Sequence, residues 1–389
     1  MKRLAFLLAL LLTLSLAACG AAQDLPTAEE DATEVLAPEV TEEPEPEPEP
    51  TPEEKFISEQ LSAMTLEEKV GQLFFVHCPA ENAAEDAANY HLGGILLFGR
   101  DFKDKSAEEI QANIASYQAA ASLPLFIGVD EEGGSVCRVS SQKQLRSTRY
   151  RSPQKLYKTG GLDAVLAEDA ERNALLSSFG INVNFAPVAD ISTNPNDFIY
   201  DRSLGQDAAT TAHIIEAVVT QMGQQNMGSV LKHFPGYGNN VDTHTGIAVD
   251  ERSLDSFRTN DFLPFAAGIE AGAPFVLVSH NIIKAAGDDL PASLSPAVHE
   301  LLRAELDFSG IILTDDLAME AVEAYAEDGS VAVLAVLAGN DMIVTADYHN
   351  QIPLVLEAVE NGTITEGQLD AAVTRILLTK IALDLIEID

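Results

Sequence analysis

The sequence predicts an α/β protein, a single (β/α)8 TIM-type barrel over residues 56–389, behind a short leader and an acidic segment. Eight short apolar runs are spread along the chain from Phe56 onward. They are apolar throughout rather than alternating, as parallel strands covered on both faces are. Helical patterns such as Ala208–Gln221 and Gly367–Leu385 separate many of them, which is the arrangement of a barrel with helical crossovers. A doubly wound open sheet is the alternative, and no GxGxxG follows the early runs to support a dinucleotide-binding version of it.

Residues 1–18 read MKRLAFLLALLLTLSLAA, two cations followed by an apolar run too short to span a bilayer, the form of an export signal. The run closes on Leu16-Ala17-Ala18-Cys19, which resembles the lipobox of bacterial lipoproteins and implies cleavage before Cys19 and acylation of its thiol. An ordinary signal peptide cut after Ala18 is the plainer alternative. Each buried methylene of a lipid contributes about 0.8 kcal/mol, so two or three chains hold a protein firmly on a membrane. Residues 19–55 then form the expected stalk. Gly20–Glu54 contains 13 acids, no Lys or Arg, and the run EPEPEPEP from Glu43 to Pro50. Such a segment buries no apolar surface and repels itself, so it stays extended.

The remaining residues account for the barrel. Thr65-Leu66-Glu67-Glu68 has the form of a capping box at a helix start. The candidate strands are Leu73–His77, Gly94–Phe98, Leu125–Asp130, Ile181–Pro187, Ser229–His233, Phe275–Ser279, Ile311–Asp315 and Asp341–Val344. The whole chain has 389 residues, 23 Lys+Arg against 61 Asp+Glu and a net charge of −38. From Lys55 onward there are 48 acids against 21 bases, so the acidity belongs to the folded part as well. That balance excludes a nucleic-acid partner, whose phosphates need Lys and Arg. Three cysteines are no disulfide scaffold, and Cys78 and Cys137 are read as small buried residues.

Polar residues gather at the ends of the runs. Asp130 ends the third, Lys232 and His233 the fifth, Ser279 and His280 close the sixth, and Asp315 and Asp316 the seventh. Barrel enzymes set their chemistry at the C-terminal ends of strands, and the same feature on four strands points to a site. Asp315 shares a face with Ile311 and Leu313 and therefore projects at the barrel mouth.

Three stretches then resemble the family 3 glycoside hydrolases, in particular their single-domain β-N-acetylglucosaminidase branch. Gly128-Val129-Asp130-Glu131-Glu132-Gly133-Gly134-Ser135-Val136-Cys137-Arg138 is similar to D-x-E-G-G-x-V-x-R. Lys232-His233-Phe234-Pro235-Gly236-Tyr237-Gly238 with Asp242-Thr243-His244 is similar to K-H-F-P-G-H-G followed by D-S-H. Leu313-Thr314-Asp315-Asp316-Leu317-Ala318-Met319 is similar to S-D-D-L-x-M. The resemblance spans roughly residues 56 to 389.

A retaining glycosidase needs a carboxylate nucleophile and a proton donor. The resemblance implies Asp315 as nucleophile and His244 as acid/base, held by Asp242. A carboxylate on one ring nitrogen fixes the tautomer and raises the basicity of the other. It implies Asp130, Arg138, Arg202, Lys232 and His233 as sugar-binding groups, and leaves Asp316 a supporting residue. Phe234 and Tyr237 are open between sugar stacking and packing, and Gly133-Gly134 between a tight turn and close approach to the sugar. Tyr237 stands where the family has a His, Asn239-Asn240 replaces an Asp-Thr-like pair, and the stretch from Lys232 to His244 is one residue short.

The expectation is a monomeric, retaining exo-glycosidase that removes terminal β-N-acetylglucosamine from peptidoglycan fragments. It uses no metal or cofactor and is lipid-anchored at the extracytoplasmic face of the bacterial membrane. Within the family, a β-N-acetylglucosaminide phosphorylase or a β-glucosidase is the alternative. From other classes come a non-catalytic sugar-binding lipoprotein and a metal-dependent barrel hydrolase using His77, His233, His280 and Asp315.

Overall fold

Every one of the eight apolar runs contributes a strand to one parallel barrel. The structure, a computed structural model, describes residues 50–240, 248–319, 322, 325 and 330–388. The barrel strands are β1 (Phe74–His77), β2 (Gly94–Leu97), β3 (Phe126–Val129), β4 (Val183–Asn184), β5 (Gly228–Phe234), β6 (Phe275–Val278), β7 (Ile311–Thr314) and β8 (Ile343–Thr345). Their order in space is β7-β6-β5-β4-β3-β2-β1-β8. A parallel bridge between Leu313 and Met342, with Thr314 N–H donating to the Met342 carbonyl at 3.1 Å, closes β7 onto β8. Parallel neighbours need long crossovers, and helices such as Ala107–Ala120, Pro153–Ser178, Ala208–Gln224 and Val331–Ala338 supply them.

The barrel is filled by its own side chains. Phe75 meets Phe185 edge-on at 5.3 Å between centroids and Phe126 meets Phe275 at 5.1 Å, the geometry aromatic pairs prefer. All four are buried. This apolar plug separates the two ends of the barrel, so polar chemistry is confined to the rims.

Boundaries shift where side chains replace backbone pairing. The fourth run shortens from Ile181–Pro187 to two residues. Asn182 Oδ1 takes the Ile127 N–H at 2.8 Å, Asn184 Oδ1 takes the Glu131 N–H at 3.0 Å, and Pro187 has no N–H to give. The eighth starts later than Asp341 because that carboxylate accepts the Ile312 N–H at 2.8 Å and pairs with Arg303 and Arg375.

The capping box at Thr65 is present, with Glu68 N–H donating to Thr65 Oγ1 and Thr65 N–H to the Glu68 carboxylate. A second one corrects the boundary drawn from composition. Residues 52–55 do not belong to an extended stalk; they open the helix Pro52–Ala63, capped by Thr51 and Glu54 with Pro52 in its first turn. Acids and proline, which mark disorder in bulk, are favourable at a helix N-terminus. Cys19 and the leader and stalk as far as Glu49 lie outside the described residues. Among the described residues no helix is long and apolar enough to cross a membrane.

Candidate active site

Strand ends β1, β3, β5 and β7 open onto one cavity of about 390 Å³, within the size range of small-molecule sites. Asp130, Arg138, Arg202, Lys232, His233 and Asp315 all line it, so the structure brings together every described residue that the sequence nominated. Asp242 and His244 lie outside the described residues.

One wall of the cavity is a chain of paired charges. Lys232 Nζ, buried within β5, sits 2.6 Å from Asp130 Oδ1 and 2.7 Å from Glu132 Oε1. Glu132 also accepts both arms of the Arg202 guanidinium, at 3.0 and 2.7 Å. Burial by itself raises a carboxyl, but Arg202 and Lys232 hold Glu132 far below the usual carboxylate range. Arg138 is half-buried at the mouth, 3.8 Å from Asp130 Oδ2 and 5.7 Å from the centre of the Phe98 ring.

His233 is fixed in one tautomer. Its Nδ1 lies 2.6 Å from Asp190 Oδ2 and its Nε2 lies 3.1 Å from Arg202 Nη2. A guanidinium only donates, so Nε2 is the acceptor and the ring proton is assigned to Nδ1, donating to Asp190. Asp190 also takes the backbone N–H of His233 and, at 2.7 Å, that of Tyr237. One buried carboxylate therefore sets the ring and the turn that follows it.

Asp315 continues the β6–β7 ladder by one residue, its N–H donating to the Val278 carbonyl at 2.9 Å, and its carboxylate reaches the cavity. Asp316 is held by structure instead. Its carboxylate lies 3.0 Å from His77 Nε2 and accepts the Ala318 N–H, and its carbonyl accepts from His280 Nε2 at 2.9 Å. Burial raises its carboxyl, and the His77 contact together with the Ala318 N–H and the nearby His280 more than offsets this, leaving it below the ordinary carboxylate value. Both carboxylates line the cavity, but they differ in their partners: Asp316 is paired with His77, whereas Asp315 Oδ1 accepts the Asp316 N–H at 2.9 Å.

Several readings left open are decided by packing. Phe234 is fully buried against Phe262 and Phe265, so it does not stack on a sugar. Tyr237 is buried with its ring edge-on to His233 at 5.3 Å and lines the cavity. Gly133 and Gly134 have φ of 95° and 69°, and a Cβ on either would lie 2.3 Å from the Arg151 carbonyl or 2.8 Å from the Ser152 side chain. They serve a turn packed on the chain itself. Glu131 accepts from the Val139 and Ser140 backbone and the Ser140 hydroxyl, which ties it into the loop. Cys78 and Cys137 are buried free thiols, and burial pushes them up to about 12 and about 11. The three histidines of the metal-hydrolase reading are each engaged within the protein: His233 by Asp190 and Arg202, His280 by Ser293 and the Asp316 carbonyl, His77 by the Asp316 carboxylate. Among the described residues no three His, Cys, Asp or Glu are grouped to hold an ion.

Sequence reasoning missed Glu132 and Asp190 as parts of the site, and offered His77 only for the metal-dependent reading. Glu132 stood inside the quoted Asp130–Arg138 motif, and its adjacency to Asp130 was the available signal. Nothing local marks Asp190.

Comparison with known proteins agrees with this geometry. The Glycosyl hydrolase family 3 N terminal domain matches residues 65–379. A β-hexosaminidase of Stenotrophomonas maltophilia strain K279a is 36% identical over 241 residues, covering 59% of this chain and 69% of its own. β-Hexosaminidase A of Pseudoalteromonas piscicida is 29% identical over 326 residues, 76% of this chain but only 54% of the relative. The solved family 3 β-N-acetylglucosaminidase of Paenibacillus sp. FPU-7 superposes with a TM-score of 0.78 at 30% identity, over 83% of this chain and 63% of that one. This chain thus spans between about half and two thirds of the length of these relatives. A match over most of the folded residues, on a barrel with the site at the expected strand ends, places the chain in glycosyl hydrolase family 3.

Proposed function

We propose that the protein is a retaining exo-β-N-acetylhexosaminidase that removes terminal β-N-acetylglucosamine, with peptidoglycan fragments as its source. The observation that carries this is the pairing of one presented carboxylate, Asp315, with a wall of oriented donors and acceptors in the same cavity. Asp315 attacks the anomeric carbon, forming the glycosyl–enzyme ester while the glycosidic C–O bond breaks. His244, oriented by Asp242, gives a proton to the departing oxygen and later takes one from the water that cleaves the ester. Asp130, Lys232, Arg202, His233 and Arg138 bind sugar hydroxyls and the acetamido group. Charges already paired in the resting site need little reorganisation when the sugar arrives. The protein acts as a monomer held by lipid on Cys19 at the outer face of the cytoplasmic membrane, with Gly20–Pro50 as tether.

The test is trapping with a 2-fluoro or 5-fluoro sugar, followed by peptide mapping. Label on the peptide carrying Asp315, lost in Asp315→Asn together with nearly all turnover, supports the assignment. Label on Asp130 or Asp316 refutes it. Product analysis on N-acetylglucosaminyl-muramyl fragments, with and without phosphate, distinguishes hydrolysis from phosphorolysis.

A further inference from the structure

The chain on either side of residues 241–247 converges on one side chain, Arg252. Upstream, the turn Pro235-Gly236-Tyr237-Gly238 leaves β5 and folds against a buried ion pair. Arg252 Nη1 donates to both carboxylate oxygens of Asp261, at 3.0 and 2.8 Å, and Nη2 donates to the Gly236 carbonyl at 3.3 Å. The two glycines are shaped around that pair. Gly236 has φ +122° and a Cβ there would lie 2.5 Å from Asp261 Oδ1; Gly238 has φ +55° and a Cβ there would lie 2.6 Å from the Arg252 guanidinium. Downstream, Arg252 Nε and Nη2 hold the Asp250 carboxylate at 3.0 and 2.7 Å. Asp250 Oδ2 in turn accepts from Asn240 Nδ2 at 2.7 Å. Residues 240 and 250, on opposite sides of the segment, are therefore joined by a direct hydrogen bond, and Arg252 ties Asp250 to Asp261 and to the Gly236 carbonyl.

We propose that Arg252 is a positioning residue for proton transfer, holding the two flanks of the segment that carries Asp242 and His244 against the turn after β5. This rests on the reading of Asp242 and His244 as the acid/base pair. The turn is already tied to the sugar-binding wall, because Asp190 takes both its Tyr237 N–H and the His233 ring. Arg252 adds the second tie, so the flanks and the wall share one frame. Only a planar fork of five donors spans two carboxylates and a carbonyl. Lysine brings the charge but reaches one partner at a time. Asp250 and Asp261 are 2% and 1% exposed, so these bonds form in a low-dielectric setting where geometry is held stiffly.

A purely structural ion pair would lower every activity together. A positioning role is selective, because misplacing a proton donor matters only when the leaving group needs the proton. kcat/KM reports only the glycosylation step, so it is compared for an N-acetylglucosaminyl disaccharide and for p-nitrophenyl β-N-acetylglucosaminide. Two variants are used in the full chain: Arg252→Lys, and Asn240→Asp, which sets a second carboxylate against Asp250 without emptying the buried pair. Thermal unfolding confirms that each variant folds. A displacement of about 1 Å costs on the order of 10²-fold in a proximity-dependent step. Each variant is therefore expected to lose roughly 10- to 100-fold on the disaccharide and less than about 3-fold on the nitrophenyl glycoside. The Asp315 labelling rate by an activated fluoro sugar stays near that of the parent. Folded variants that lose equally on both substrates, or on neither, overturn the proposal. His244→Ala is run alongside. If it shows the leaving-group dependence and the two variants do not, Arg252 is structural and the acid/base reading stands. If His244→Ala loses equally on both, the acid/base reading itself fails and the role of Arg252 fails with it.

Discussion

Replacing Lys380 with Met should stabilise the protein at pH 7 and have little effect at pH 9.5. Lys380 is fully buried in the helix Glu366–Ala382, its Nζ 2.6 Å from Gln72 Oε1 and 5.2 Å from the centre of the Phe126 ring. Desolvation, with no carboxylate to offset it, drives the amine down from 10.5 to about 7. Between those values the unfolded chain holds a proton that the folded chain lacks, so wild-type stability rises with pH across that window. Above 10.5 the penalty vanishes, and below about 7 it is constant. From the two values, burying this lysine costs about 4 kcal/mol at pH 7 and about 1 kcal/mol at pH 9.5.

Lys380→Met removes that penalty but leaves Gln72 Oε1 buried without its donor, which costs about 1–3 kcal/mol at any pH. The two effects nearly cancel at pH 9.5, whereas at pH 7 the variant should be the more stable protein. The lost hydrogen bond drops out of the difference between the two pH values, which should favour Met by about 3 kcal/mol. Urea unfolding of both proteins at pH 7 and pH 9.5 measures it, with the linear slope checked for constancy. A stability difference unchanged between these pH values would refute the reasoning. It would mean that the ammonium keeps its charge in the core, with the Phe126 face, worth about 2 kcal/mol when desolvated, and internal water holding it there.

Further outcomes follow from the site and the domain edge. Glu132→Gln leaves Arg202 and Lys232 short of their shared carboxylate; it should lower stability in urea by about 3–5 kcal/mol and raise KM for N-acetylglucosaminides. Because the Asp316 carboxyl is depressed by His77, its contribution is present above the unfolded carboxylate pKa and is lost as pH falls through the folded one. His77→Gln should therefore move the acid-unfolding midpoint to higher pH, as followed by circular dichroism. A chain shortened to begin at Pro50 should keep full activity. One that begins at Lys55 loses the Thr51–Glu54 cap and should be less stable by about 1 kcal/mol, read from Tm.

The barrel was legible because burial on both faces of a parallel strand writes itself into consecutive residues. Phe74–His77, Gly94–Leu97 and Ile311–Thr314 are covered by helices outside and side chains inside, so no alternation remains to confuse them with surface strands. The capping box at Thr65 and the helix Ala208–Gln224 were legible for the same reason: each is decided by residues within a few positions of one another. Asp130, Lys232, His233 and Asp315 could be found because strand ends are themselves local features, and the motif order raised them above chance.

What the tertiary structure alone decided is which charges meet. Lys232 pairs with Asp130 across 102 residues of sequence, Arg202 with Glu132 across 70 and His233 with Asp190 across 43. Nothing in the neighbourhood of Asp190 distinguishes it from a solvated acid in a chain with 61 of them. Composition likewise misplaced Pro52–Lys55, since the same acids and proline that keep a stalk extended also start a helix when a capping threonine precedes them. By itself the sequence determined the periodicities, hence the elements and their order. Closure of the barrel determined which strand ends share a cavity, and a carboxylate buried there without hydrogen-bond donors is too costly to persist, so pairing there is selected by three-dimensional proximity and not by spacing along the chain.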